Sequence, residues 1–364
     1  MPDTSLPDTS LPDTSVPEIS REVRLAARPA GLPTAGTFSL VSVPVPVPGP
    51  GEVLVRNRLF GVAASLRMMI AEGAQDVPGV PFPAMSPGDT LGGGAIGTVV
   101  SAPSASGLRA GDLVVHHLGW REYAAVPVTD CERIDVGLAD LGEAQLGNGW
   151  TAYAALTRGT AIKPGDTVFI SSAAGSIGSM AGQIARLLGA GRVIGSTGSP
   201  AKAERLVSEL GFDAVAMRGE GSSAGSSAGS FAGRLAKAAP DGIDVCLDSV
   251  GGEQLRAAVD LANEAARIVI LGTLSAQLAP AGTGRIAPVE LDSMRLVLNR
   301  ITLRGYSADD DPDVRAEWRD WSAPRFGDGS LVFPHVRVPG IEHAVEALLD
   351  TMAGRYLGAV VVQL

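Results

Sequence analysis

The chain has 364 residues, 45% of them hydrophobic and 19% charged, with a formal net charge of −10. That length can bury two separate cores, and the acidic balance argues against nucleic acid or an anionic membrane surface as a partner. Two cysteines, Cys131 and Cys246, are too few for a four-cysteine zinc site or a disulfide scaffold.

The chain opens with PDTSL-PDTSL-PDTSV, and residues 1–18 are expected to be a disordered tail, because proline every fifth residue blocks a helix and little is available to bury. This start lacks the basic-then-apolar layout of a signal peptide, and no apolar run in the chain is long enough to span a bilayer; a reduced, cytoplasmic protein is expected. From Ile19 the pattern changes. Apolar alternation predicts strands at EVLVRNRLFGV (52–62), GAIGTVV (94–100) and DLVVHHLGWREYAAVP (112–127), with PVPVPGPGE (44–52) as a rigid connection. This half reads as β-rich and partly barrel-like. His116 and His117 are neighbours in a predicted strand, so one should point inward and the other outward.

From about Thr151 the rhythm becomes strand–helix. DTVFISS (166–172) is a predicted strand, and Ile177, Ala181, Ile184, Leu187 and Leu188 then share one helical face. RVIGST (192–197) is a second strand, followed by a helix with Ser199 as N-cap and Gly211 past its end. DVCLDSV (244–250) and RIVILGT (267–273) are further strands, separated by a helix over 253–265. GEGSSAGSSAGSFAGR (219–234) has side chains too small to compensate its ordering, and reads as a flexible insertion. Residues 343–364 give a helix and a final strand expected to return to the first domain. Alternating β and α elements imply an α/β domain with a parallel, doubly wound sheet.

Between the first strand and helix of that domain lies AAGSIG (173–178), an A-x-G-x-x-G turn. Gly175 allows a tight turn and Gly178 close helix–strand packing, and the helix N-terminus offers free N–H groups to a diphosphate. A purely structural turn would favour the same glycines. The next strand adds information: GSTGS (195–199) carries no acid to bind a ribose 2′-hydroxyl, whereas Lys202 and Arg218 follow. Two cations without a carboxylate suit a 2′-phosphate, so NADPH is favoured over NADH.

These motifs, in this order, resemble the medium-chain dehydrogenase/reductase superfamily. GWREY (119–123), DSVGG (248–252), NRITLRGY (299–306) and GRYLGAVVV (354–362) resemble its zinc-independent branch of leukotriene B4 dehydrogenase/prostaglandin reductases and alkenal double-bond reductases. The resemblance covers roughly residues 20–364. It implies a GroES-like catalytic domain (19–147 and 325–364), a Rossmann domain (148–324) and a cleft between them. It further implies a homodimer and NADPH-dependent reduction of a small α,β-unsaturated carbonyl substrate.

Carried over one position at a time, the diphosphate turn falls on Gly175, Ser176, Ile177 and Gly178, and the 2′-phosphate lysine on Lys202. A phosphate-binding tyrosine is replaced by Arg218. Ser249 takes the place of an asparagine, Leu271, Gly272, Thr273 and Leu274 form the loop beside the nicotinamide, and Tyr306 and Ser307 face its carboxamide. Tyr356 replaces an asparagine, and Ala359 a lysine. Two departures touch the substrate side. VAASLR (62–67) stands for V-D-P-Y-M-R, which leaves Ser65 and Arg67 as candidate substrate contacts. LSAQL (274–278) puts Gln277 where a tyrosine serves the substrate oxygen.

Gln277 and Tyr153 are the candidate catalytic donors, with Tyr123 a further one. Because the pocket tyrosines are missing, two other functions stay open on the same fold: a non-redox cyclase or isomerase, and a cofactor-binding protein without turnover.

Overall fold

The computed structural model describes residues 16–74, 84–134, 142–219, 229–279 and 286–364. Most of the repeat tail, and residues 220–228 of the glycine- and serine-rich segment, lie outside the described residues.

β1 (Ile19–Leu25) pairs antiparallel with β2 (Phe38–Pro44). Val23, Leu25 and Phe38 bury one face of this pair while charged and hydroxyl side chains take the other. β3 (Glu52–Val62) follows, then the short helix α1 (Leu66–Ile70), β4 (Ala95–Ser101), β5 (Leu113–His116), β6 (Tyr123–Pro127) and β7 (Glu132–Arg133). The single strand expected over 112–127 is therefore two. A loop divides it, and within that loop Trp120 takes φ 60, a conformation that breaks a ladder.

α2 (Gly142–Gln145) and α3 (Gly149–Ala154) lead to the second sheet. It is built from β8 (Thr167–Ile170), α4 (Ser176–Leu187), β9 (Arg192–Thr197), α5 (Pro200–Leu210), β10 (Ala214–Met217), α6 (Phe231–Ala238) and β11 (Ile243–Asp248). α7 (Gly252–Asp260), β12 (Ala262–Ile270), α8 (Leu274–Gln277), α9 (Ser293–Leu298) and β13 (Thr302–Gly305) complete it. Its six strands are parallel, in the order β10-β9-β8-β11-β12-β13. Helices cover both faces, so strands such as Val168-Phe169-Ile170 and Val245-Cys246-Leu247 are buried without alternation.

The chain then passes through α10 (Val314–Gly327), β14 (His335–Pro339), α11 (Ala344–Met352) and β15 (Ala359–Gln363). β15 pairs antiparallel with β3, matching Val360 to Val62, so the last strand does return to the first sheet. That mixed sheet has the order β14-β15-β3-β4-β5-β7, with β6 also on β3. The molecule thus joins a GroES-like mixed sheet to a Rossmann-type parallel sheet.

Two further local expectations need correction. The helix expected over 253–265 stops at Asp260, because Ala262 already pairs with Ile243, and Ala265 (φ 60) sits in the irregular start of β12. The segment read as an insertion is structured from Ser230, whose hydroxyl accepts from Gly233 N–H and starts α6, with Phe231 and Leu235 buried.

Candidate functional site

Strand order reverses between β8 and β11, and in such sheets the crevice past the strand ends at that point receives the ligand. The loops there are fixed from below by buried polar groups. The Ser171 hydroxyl donates to Asp248 (2.7 Å) and accepts from Ser249 N–H (2.8 Å). Asp248, fully buried, also accepts from Val250 and Gly251 N–H. Burial raises its carboxyl above the usual range, and these hydrogen bonds oppose the rise. Ser196 donates to Gln254 and accepts from Ser172 N–H, which ties β9 to α7.

The glycine turn does not work quite as its spacing suggests. Gly175 is extended (φ −83, ψ 177), and the left-handed residue is Ser172 (φ 51). The position that must be glycine for space is Gly178, where a Cβ would lie 2.3 Å from the Ser172 carbonyl oxygen. The tight approach puts the first turn of α4 directly behind the loop. Ser176 and Ile177 are half-buried at its mouth, and Asn148 reaches the Ser176 hydroxyl at 3.3 Å. The cradle fits a diphosphate: it has no side-chain N-cap, its glycines leave space, and helical N–H groups open to the crevice.

Past β9 the Ser199 hydroxyl caps α5, accepting from Lys202 N–H. The Arg218 guanidinium lies over Gly198, where a Cβ would be 3.2 Å from its Nη2. Burial, and then the charge of Arg218, lower the Lys202 ammonium below its usual value. The two cations repel each other, and an anion between them would relieve both. Lys202 Nζ also donates to the carbonyls of Gly354 and Tyr356, the latter at 2.6 Å. The segment between α11 and β15 therefore lies against this end of the groove. It meets the diphosphate turn as well, where Gly358 N–H donates to Ala174. Gly358 (φ 84) is required there, since a Cβ would lie 2.0 Å from the Pro334 oxygen. Tyr356 is half-buried, with its hydroxyl 3.3 Å from Asp350.

The loop after β12 is zipped to the loop after β11. Leu271 N–H donates to Asp248, Leu274 N–H to Ser249 and Ser275 N–H to Val250, and the Ser275 hydroxyl adds a bond to Val250. Gly272 fits beneath Ser249, and Thr273 accepts from Gln277 N–H. This brings Leu271–Leu274 and Ser249 together at the crevice. Gln277, at the end of α8, is 8% exposed and donates from Nε2 to Met68 Sδ at 3.1 Å. Met68 lies on α1, so the two sheets' elements meet at this contact.

The remaining expected residues differ in exposure and in partners. Tyr153 is buried beside Trp318 and Trp321 and donates its hydroxyl to Glu317 (2.6 Å). Burial, then Glu317, push its phenol up to about 12. Tyr306 packs its ring against Gly159 and donates to Asp311 (2.7 Å), with its phenol likewise raised by burial. Ser307 and Ser65 are exposed, Tyr123 is buried, and Arg67 is 3% exposed with its guanidinium lowered by burial. His116 points inward and His117 outward; His116 bonds Asn57 (2.8 Å) and accepts from Leu118 N–H, a structural arrangement. Sequence reasoning missed Met68 and Asn148. Their only signal was adjacency, to Arg67 and to the helix carrying Tyr153.

The fold and crevice define a two-domain, dinucleotide-dependent oxidoreductase. Residues 21–134 match the model described as the N-terminal domain of oxidoreductase, and residues 176–323 match the one described as zinc-binding dehydrogenase. YfmJ of Bacillus subtilis, whose name describes an NADP-dependent oxidoreductase, is 33% identical over 342 residues, covering 93% of this chain and 96% of its own. The 2-alkenal reductase (NADP(+)-dependent) of Nicotiana tabacum is 28% identical, covering 85% and 87%. The crystal structure of CurA in complex with NADPH from Vibrio vulnificus superposes with a TM-score of 0.80 at 29% identity, over 94% of this chain and 98% of that one.

The chain belongs to the zinc-independent branch of the medium-chain dehydrogenase/reductase superfamily. Among the described residues, no group of three or more His, Cys, Asp or Glu could hold a metal ion.

Proposed function

We propose that this chain uses NADPH to reduce a carbon–carbon double bond conjugated to a carbonyl, in a small enone, enal or quinone-like substrate. The reading rests on one observation: a crevice with the tight Gly178 helix start and two cations, Lys202 and Arg218, along one side, and a buried amide donor, Gln277, where the two sheets' elements meet. The alkenal reductase and NADPH-bound relatives support it.

When bound, NADPH would supply the hydride that the β-carbon accepts, and water the proton that the α-carbon takes up to give the saturated product. Gly175, Ser176, Ile177 and Gly178 hold the diphosphate on the α4 N-terminus, and Lys202 and Arg218 take the 2′-phosphate. Ser249, Leu271–Leu274, Tyr306, Ser307 and Tyr356 line the remaining length of the cofactor groove. Gln277 Nε2 donates to the substrate oxygen as negative charge develops there, and Ser65 and Arg67 belong to the substrate side. Tyr153 is assigned to packing, because its hydroxyl is committed to Glu317.

The domains divide at 19–147 with 325–364, and 148–324. The protein works in the cytoplasm without nucleic acid, as a homodimer. Support for the dimer comes from β13, the edge strand of the parallel sheet, and from Met294, Val297 and Leu298 on α9, which are 63–71% exposed. Among the described residues no helix is long and apolar enough to cross a membrane.

The test is oxidation of NADPH, with NADH in parallel, against a panel of enals, enones and quinones, with product analysis. Consumption with NADPH preference and a saturated product supports the proposal. A product of unchanged oxidation level favours a cyclase or isomerase. Cofactor binding without turnover of any panel member favours a binding role.

A further inference from the structure

We infer that Met68 is a positioning residue: its thioether holds the Gln277 amide at the cleft and yields it to the carbonyl oxygen of the substrate. The inference rests on the reductase reading given under Proposed function.

Three observations carry it. Gln277 is almost wholly buried, and a buried amide donor needs an acceptor. The acceptor it has is Met68 Sδ, at 3.1 Å. A thioether is a weak acceptor, whereas a carbonyl oxygen gathering negative charge is a strong one. Exchange of sulfur for oxygen is therefore favourable, and most favourable as the charge grows.

The second observation is that the frame around the pair is fixed while the methionine can move. Leu66 and Ile70 are buried and pin α1, and Met68 between them is only half-buried. Methionine has three rotatable bonds, so its sulfur can withdraw without displacing the helix. Thirdly, α8 is a single turn clamped by the Leu274 and Ser275 N–H bonds and the Ser275 hydroxyl, which leaves the Gln277 rotamer as the remaining freedom. Among the described residues, the bond to Met68 is the contact that aims that amide.

The experiment is a double-mutant cycle in the full chain with Met68→Leu, Gln277→Leu and both, measuring kcat and KM for one enone of the panel, with NADPH affinity by fluorescence. Leucine keeps the volume at Met68 and removes the acceptor. The expected result is a fall in kcat of about 10–100-fold for Gln277→Leu and about 3–10-fold for Met68→Leu, with NADPH affinity unchanged. The double variant should be no worse than Gln277→Leu alone, since Met68 acts through Gln277. Additive losses, an unchanged kcat in Met68→Leu, or loss of NADPH affinity in that variant would overturn the inference while wild-type enone reduction left the reductase reading standing. A wild-type protein that binds NADPH but reduces no panel member would overturn both.

Discussion

At the scale of single residues, the proposed preference for NADPH rests on the cation pair. Burial, and then the charge of Arg218, lower the Lys202 ammonium, and the 2′-phosphate of the proposed cofactor would offset that cost. Replacing Lys202 with Met should raise the KM for NADPH by about 10–100-fold, the worth of one charge-assisted contact, and leave NADH nearly unaffected. Parallel titrations with the two cofactors would show it; equal losses for both would mean that Lys202 acts only as a tether for the segment carrying Tyr356. Gly178 offers a steric test. An alanine there must push against the Ser172 backbone, so Gly178→Ala should cost about 1–3 kcal/mol in chemical denaturation and weaken NADPH binding. Both residues were picked out in the sequence by their offsets in a βα unit, although a structural turn would use the same glycines. Met68 and Asn148 were not, because their roles depend on what the fold brings opposite them. A methionine gives no local sign that a glutamine 209 residues away will donate to it.

Elements whose own pattern determined them were readable: β3, α5 and β9 match their expected spans closely. The errors fell where tertiary contacts overruled local preference. Ala262, Glu264 and Ala265 are good helix formers, yet β12 takes them because Ala262 finds Ile243 beside it. α6 was lost in a run of glycine and serine because the buried Phe231 and Leu235 that anchor it stand at the very end of that run. The loop between β5 and β6 also depends on contacts beyond its own sequence.

His116 at the end of β5 is the anchor of that loop, and burial lowers its pKa to about 4 from the ordinary 6.5. The fold therefore favours the neutral ring. Its contribution is complete above pH 6.5 and is lost as pH falls toward 4, roughly 3 kcal/mol over that interval. Denaturation of the wild type and His116→Gln at pH 7 and pH 4 should show the variant less stable at pH 7 and less sensitive to acid; equal slopes would refute the assignment.

For the molecule as a whole, the proposed dimer would use the exposed apolar residues of α9 beside the β13 edge. Charges there should prevent it: Val297→Asp with Leu298→Lys is expected to shift the mass measured by light scattering from dimer to monomer, with the unfolding temperature of the parallel sheet little changed. A wild-type monomer at micromolar concentration would remove the dimer from the proposal.

The pairing of β15 with β3 sets an order on how the protein is made. The parallel sheet has all its strands once residue 305 has emerged from the ribosome. The mixed sheet is different: Val62 waits for Val360. Nascent chains therefore carry a Rossmann sheet with all its strands beside a half-built partner whose central strand β3 offers an open edge, and that interval is when aggregation competes most strongly with folding.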